Sequence, residues 1–392
     1  MYSEDDINSA IAAGAISAEA ATGLRDHVSR MRALPRQSEE NFKLLNSFND
    51  VFVAIGIVIL LLAVGAIGQA IASAIFPSPD WFEFSQGSDA EYGDARAAYN
   101  AQQMASSGLQ GALMGLFVAI AAWPLAEFFT RKRRMALPSI LLLLSFVGGI
   151  FAASFGLGAM LGLLGEDVAG TVMVLFAGLI AAGAAFLHWR RFQVPITVAA
   201  AAGVAVMSLF IALLGVVQVD PDEAGFLIPI LIAGLIVFGF AMRWDMSDLA
   251  RTTRRSDVAF WLHLLAAPLI AHPIFALIGI TGGNNVGMIG AVSVLVVYVV
   301  FGIVALAIDR RALLVSALAY VLFALTFLFR EFGAVELNFA LTALVIGSAL
   351  LSLSAFWQPI RGGVISALPE GLRSKLPAVE VVIPLAPSAN AA

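Results

Sequence analysis

The sequence predicts an all-α protein, a polytopic bundle of about ten transmembrane helices, and three observations carry that prediction. Hydrophobic residues make up 60% of the 392 positions and charged residues 12%, a balance too apolar for a globule in water. Apolar runs of roughly twenty residues, the length that crosses a bilayer, recur from Val51 almost to Ile360. Basic residues cluster between alternate runs, which is the mark of charge retained on the cytoplasmic side of short loops.

Ten spans satisfy this pattern, near 51–76, 107–129, 138–164, 169–188, 194–217, 224–242, 258–280, 286–308, 312–329 and 337–357. With the N-terminus inside, the cytoplasmic segments hold Arg25, Arg30, Arg32, Arg36 and Lys43, then Arg131 to Arg134, Arg190 and Arg191. Arg243, Arg251, Arg254, Arg255, Arg310, Arg311, Arg361, Arg373 and Lys375 follow, which leaves only Arg96 and Arg330 of the 22 basic residues outside. The opposite loops carry acids such as Asp80, Glu83, Glu166, Asp167, Asp220 and Asp222. An even helix count with both termini cytoplasmic follows, and the lack of alternating ten-residue strands argues against an outer-membrane barrel. An inner or plasma membrane is the expected location, with membrane lipid as the surrounding partner.

Three regions emerge: a cytoplasmic helical hairpin with a lead-in helix over 1–49, the transmembrane bundle over 50–360 and a Pro-rich cytoplasmic tail over 361–392. In the first, Ser3 and the acids after it suit a helix start, Gly14 a stop and Ser17 a second cap. Ala21, Leu24, Val28 and Met31 then share one helical face. Residues 4–33 could dock a protein partner, associate with themselves or anchor against the membrane. The start is polar and acidic, without the apolar core of a cleavable signal. Beyond Glu39, a polar helix is expected to run into the first span and to leave Asp50 at the boundary, as a proton or cation ligand or a hydrated helix-end group. The loop 77–105 is expected to lie along the outer surface with Trp81, Phe82 and Phe84 at the interface, its remainder either forming a short outer helix that caps a vestibule or simply leading into the second span. In the tail, one short helix is expected near Glu370 to Leu376.

Ionisable groups inside apolar spans are costly and therefore mark candidate function. The distinctive stretch is in the seventh span, where Trp261, His263, Pro268, His272 and Pro273 follow one another. Each proline removes a backbone donor and leaves a carbonyl needing a partner, which an imidazole N–H can supply. A helix broken there would expose carbonyls and histidines to a substrate or proton pathway; a continuous helix would make the same residues structural. On a straight helix the two histidines lie about 13 Å apart on opposite faces, so they do not share a metal, and no third ligand is evident. Glu127 is expected to pair with Arg131 one turn on, and His27 and His188 to lie at the surface. Arg330, Glu331 and Glu336 form either an external gate or an ordinary interfacial ion pair. The glycines of the third span, including the Gly158–Gly162 pair, permit close helix contact. Gly282 to Asn285 suit a tight outer turn.

The chain has no cysteine, so thiolate chemistry, thiolate metal sites and disulfides are excluded. Nothing matches a nucleotide-binding loop, a metalloprotease helix or a nucleophile elbow, and no cofactor, catalytic residue, metal site or nucleic-acid partner is expected. The basic cluster 131–134 is explained as a topology signal with at most phospholipid contact.

The hairpin with Ala-Ala-Gly-Ala-Ile-Ser at its turn, and the Phe48-Asn-Asp-Val-Phe-Val-Ala-Ile-Gly56 stretch opening the first span, resemble bacterial predicted membrane proteins of domain of unknown function 2157. The resemblance implies an inner-membrane location and no established activity. Three function classes compete. A secondary-transporter-like permease would use ten spans as two five-helix halves, which are inverted automatically. A membrane scaffold or regulatory component would act through the hairpin. An intramembrane enzyme would need an acid or metal beside His263 or His272.

Overall fold

The computed structural model describes residues 4–33, 48–84, 92–163, 168–217, 224–251, 253–279, 288–331 and 338–377. Every regular element among them is helical, and the chain divides into two units, residues 1–41 with 378–392, and residues 42–377.

In the first unit, α1 (Glu4–Ala12) and α2 (Ala18–Ala33) make the expected hairpin. Gly14 takes φ +72°, the left-handed conformation that glycine reaches without a Cβ clash, and the Ala15 N–H donates back to the Ala10 carbonyl at 2.9 Å. Ser17 Oγ accepts from the Ala20 N–H at 3.0 Å and so caps α2. Arg25 donates to Asn8 Oδ1 at 2.9 Å across the pair. On the apolar face Ala21 is buried while Leu24 is exposed.

The second unit is a bundle of α3 (Phe48–Ile75), α5 (Tyr92–Ala126), α6 (Ala136–Met160), α7 (Val168–Phe192), α8 (Ile196–Val217), α9 (Leu227–Met246), α10 (Arg254–Leu277), α11 (Met288–Ile308), α12 (Ala312–Glu331) and α13 (Asn338–Ala355). The short α4 (Trp81–Phe84) precedes α5. Among the described residues nine helices are long and apolar enough to cross a membrane. The expected tenth span forms α13, after which the chain bends by 75° into α14 (Trp357–Ser366). A four-residue α15 (Glu370–Arg373) closes the described chain.

The second span is much longer than its apolar core. The helix starts at Tyr92 rather than near Ser107, and Gly93–Lys132 is one 40-residue helix, so the loop before it is helical over its second half. Trp81 packs edge-on against Tyr99, centroids 5.1 Å apart, where the chain returns. Pro124 sits inside α5, and the helix then widens to a π turn over Glu127–Lys132, the local adjustment expected where a proline withholds its N–H.

Four hairpins, α5–α6, α7–α8, α9–α10 and α11–α12, repeat one turn geometry. Arg134, Gln193, Arg251 and Asp309 have φ of 54°, 51°, 51° and 56°, and these left-handed residues recur at intervals of 59, 58 and 58 positions. Each lies between the two helices of its hairpin, at the end of the bundle where the arginines gather. A two-helix unit keeps all its copies in one orientation, so the backbone periodicity is that of parallel units rather than inverted five-helix halves. Left-handed conformation costs a non-glycine residue about 1–2 kcal/mol. Arg134→Gly is therefore expected to raise stability by about 0.5–1 kcal/mol after the entropy of glycine is subtracted, and Arg134→Val to lower it; chemical denaturation in detergent measures both.

Small residues set the spacing of the first hairpin. A Cβ on Gly115 would lie 2.5 Å from the Gly149 carbonyl oxygen, and one on Gly156 would lie 2.5 Å from that of Gly108. The close backbone contacts of this hairpin therefore fall on Gly149 and Gly156, seven residues apart, while of the Gly158–Gly162 pair only Gly158 makes a close approach, where a Cβ would stand 2.6 Å from Met173 Cγ. Gly158 faces Met173 of α7, and Gly162 lies beyond the end of α6 with φ +67°. The main core gathers around α10, whose buried face, including Leu262, Ala266, Ile270 and Phe275, packs with residues of α8, α9, α11 and α12. Residues 34–47, the 280–287 turn, the lead residue Ser3 and the tail 378–392 lie outside the described residues.

A buried charge network at the basic end of the bundle

The hairpins are joined to one another by polar bonds at their basic ends. Between the first and second, Arg191 grips Glu127 with Nε–Oε1 at 2.5 Å and Nη2–Oε2 at 3.0 Å, while the expected Arg131 contact is the longer one at 3.5 Å. Between the second and third, Arg254 donates to Gln193 Oε1 at 2.8 Å, at an open cleft lined also by Ser247, Thr253 and Arg255. Between the third and fourth the bonds go inward, and the charges are buried.

There α9 ends in Arg243-Trp-Asp-Met246, and Ser247 and Asp248 follow in the turn. Asp245 and Asp248 are both buried. Asp248 Oδ2 accepts from the Thr253 N–H at 2.9 Å and its hydroxyl at 2.7 Å, and Thr253 in turn caps α10 by accepting from the Arg255 N–H at 3.2 Å. Capping places His263 on the buried side of α10, where Nε2 lies 2.9 Å from Asp245 Oδ2. From the fourth hairpin Arg310 reaches the same carboxylate, Nη2–Oδ1 at 2.7 Å and Nε–Oδ2 at 3.3 Å, and donates also to the Ser256 carbonyl at 3.0 Å. Asp245, His263 and Arg310 are each 3% exposed, so the ion pair and imidazole are withdrawn from solvent together. The Phe238 ring meets His263 edge-on at 5.2 Å.

The neighbouring Asp309 builds a second layer. Its Oδ2 accepts from Arg251 at 2.8 Å, its Oδ1 from the Trp357 indole at 2.7 Å, and Arg361 Nε stands 3.8 Å away. Arg251 donates further to the Ile308 carbonyl at 2.9 Å. Burial and the nearby Arg310 charge lower the pKa of Arg251 from its ordinary value, with Asp309 opposing them; guanidinium remains charged at any working pH. Arg361, fully buried, donates to the Pro377 carbonyl at 2.5 Å. Trp357, Arg361 and Ile365 form the buried face of α14, so this layer fixes the helix that follows the 75° bend. Three carboxylates, Asp245, Asp248 and Asp309, thus stand among three buried or nearly buried arginines, Arg251, Arg310 and Arg361, a balance that buried charge requires.

The sequence candidates divide around this network. His263 belongs to it. His272 does not: its Nδ1 meets the Tyr320 hydroxyl at 2.7 Å on an exposed face. The seventh span is not broken, because α10 runs unbroken through Pro268 and Pro273. Pro268 is exposed and Pro273 buried; burial of the helix by its neighbours tolerates the missing donors. Trp261 is half-buried, packed beside the core. Asp50 is 3% exposed in the first turn of α3 and so is no hydrated boundary group. His188 is likewise fully buried instead of superficial. It packs among Phe192, Phe146 and Trp123, with ring centroids 4.5, 6.0 and 6.3 Å away, because α7 continues past it to Phe192. Arg330 and Glu331 close α12, but their side chains, like Glu336 and the side chain of His27, lie outside the described residues.

Compared with family models, curated proteins and solved structures, the chain matches none.

Proposed function

We propose that the chain is a multi-pass protein of the bacterial inner membrane, with both termini cytoplasmic, and that it works as a secondary-transporter-like permease for a small molecule. The basic ends of the hairpins support the orientation, since Arg131 to Arg134, Arg190, Arg191, Arg254 and Arg255 share one end and such charge is retained inside. The resemblance of the first sixty residues supports the membrane. The observation that carries the permease reading is the Asp245–His263–Arg310 cluster, buried where the third and fourth hairpins meet. Ionisable groups held at such a junction are the parts that alternating access uses.

The absence of native cysteine gives a direct test. In His263→Cys, a membrane-impermeant thiol reagent applied to inverted vesicles is expected to label the site slowly, with candidate substrates changing the rate. Full protection of a folded protein from both sides would remove the permease reading. A scaffold or regulatory reading has one observation in its favour, the separate hairpin unit with Leu24 exposed on its apolar face. Deletion of that hairpin is then expected to abolish activity in the cell while leaving the bundle's stability in detergent unchanged.

A further inference from the structure

We infer that Nδ1 of His263 is a single-proton site, and that a proton bound there acts through Arg310 on the turn that holds α14. The proposal rests on the geometry of the cluster and not on the permease reading.

Both oxygens of Asp245 are engaged, Oδ1 by Arg310 and Oδ2 by His263 and Arg310. A guanidinium already occupies the position a metal cation would need, so the carboxylate is closed to one. The open valence is on the imidazole. With Nε2–H donating to Asp245, neutral His263 carries a lone pair on Nδ1, and that buried atom has no hydrogen-bond partner among the described residues. That lone pair can accept a proton from hydronium, releasing water, with burial opposing the charge and the Asp245 carboxylate at 2.9 Å favouring it; no bond breaks elsewhere and no co-reactant is needed.

The groups facing the site determine the consequence. From α9 comes Asp245, from the α9–α10 turn Asp248 and Arg251, and from α10 Ser256 and the half-buried Asp257. The α11–α12 turn adds Asp309, Arg310 and Arg311, and α14 adds Arg361. With a neutral imidazole the three buried carboxylates balance three arginines. A proton adds one positive charge beside a carboxylate already shared with Arg310, and the longer of the two Arg310 contacts, 3.3 Å to Oδ2, is on the oxygen that the imidazolium would bind at 2.9 Å. Arg310 is the group that yields. Its chain neighbour Asp309 holds the Trp357 indole and Arg251, so a shift of the turn is passed to α14 and to the segment that Arg361 ties at Pro377. This is a local charge change biasing a packed element, the general form of a protonation switch.

The test places spin labels on Ser247→Cys and Ser366→Cys, both exposed, one at the end of α9 and one at the end of α14. The full chain is reconstituted in phosphatidylcholine vesicles without any substrate. As the pH is lowered from about 8 through the ordinary histidine range and below it, since burial opposes the added charge, the distance distribution is expected to shift to a second population. His263→Gln keeps an N–H for Asp245 and is expected to hold the high-pH distance throughout. No shift in the parent chain, or the same shift in His263→Gln, overturns the proposal. Should His263→Gln fail to fold, Trp357→Phe serves: loss of the indole bond is expected to give the low-pH distance already at high pH, and an unchanged distance there overturns the route through Asp309. A pH response in the parent chain together with full protection of His263→Cys from thiol reagent on both sides would sink the permease reading alone.

Discussion

Replacing Asp245 by alanine is expected to destabilise the protein by about 3–5 kcal/mol, the cost of leaving a buried charge without its partner. Arg310 would lose contacts at 2.7 and 3.3 Å and keep only the Ser256 oxygens at 3.0 and 3.3 Å. His263 would lose the partner of its Nε2 at the same time. The cost arises from the orphaned guanidinium, so removing that charge as well should recover much of it: Asp245→Ala with Arg310→Met is expected to be more stable than Asp245→Ala alone. Denaturation of the detergent-solubilised protein measures the cycle. Additive losses from the two changes would show that the ion pair does not join the third and fourth hairpins.

The second large effect is expected at the first hairpin. A Cβ on Gly115 would stand 2.5 Å from the Gly149 carbonyl oxygen and one on Gly149 2.6 Å from the Gly115 oxygen. Backbone cannot swing aside as a flexible side chain does, so even alanine forces the helices apart, at a cost of about 1–3 kcal/mol, and leucine would cost more. Gly111 and Gly148 are the controls, because a Cβ at either meets nothing within 4 Å. Alanine there is expected to be neutral or to stabilise by up to about 1 kcal/mol through helix propensity. Equal destabilisation at all four positions would mean that glycine content, and not the α5–α6 contact, is what matters.

The helices were legible in the sequence because a bilayer-length apolar run has few alternatives: nine of the ten expected spans are long apolar helices among the described residues. The second span was read too short because its first half, with Arg96 and its glutamines, lacks the apolar signal that defines a span, although nothing in it stops a helix. The 75° bend at Phe356 has a signal in Pro359, which cannot donate to the Ala355 carbonyl four residues back and so ends α13 there, but a proline in an apolar run does not say how far the chain turns. The site was half legible. His263 stood out because a histidine in an apolar run is conspicuous, whereas Asp245 was hidden at a helix end and Arg310 among residues sufficient to explain topology. A signal was present: Asp245, Asp248 and Asp309 are carboxylates set on the basic side, and Asp245 and Asp309 each meet an arginine there. Which arginine answers which acid depends on pairing helices 65 residues apart, and a period of apolar residues carries no such information. His188 and Asp50 failed for a related reason, since position near a helix end does not reveal that neighbouring helices extend past it.

In the proposed orientation the charge network lies on the cytoplasmic side of the membrane, and single cysteines test this most directly. Ser247→Cys lies exposed at the basic end and Ser78→Cys exposed at the opposite one, before α4. With an impermeant thiol reagent, Ser247→Cys is expected to label in inverted vesicles and stay unlabelled in intact cells, and Ser78→Cys to do the reverse. Labelling of Ser247→Cys from outside the cell would contradict the orientation, and with it the assignment of the Asp245–His263–Arg310 cluster to the cytoplasmic face.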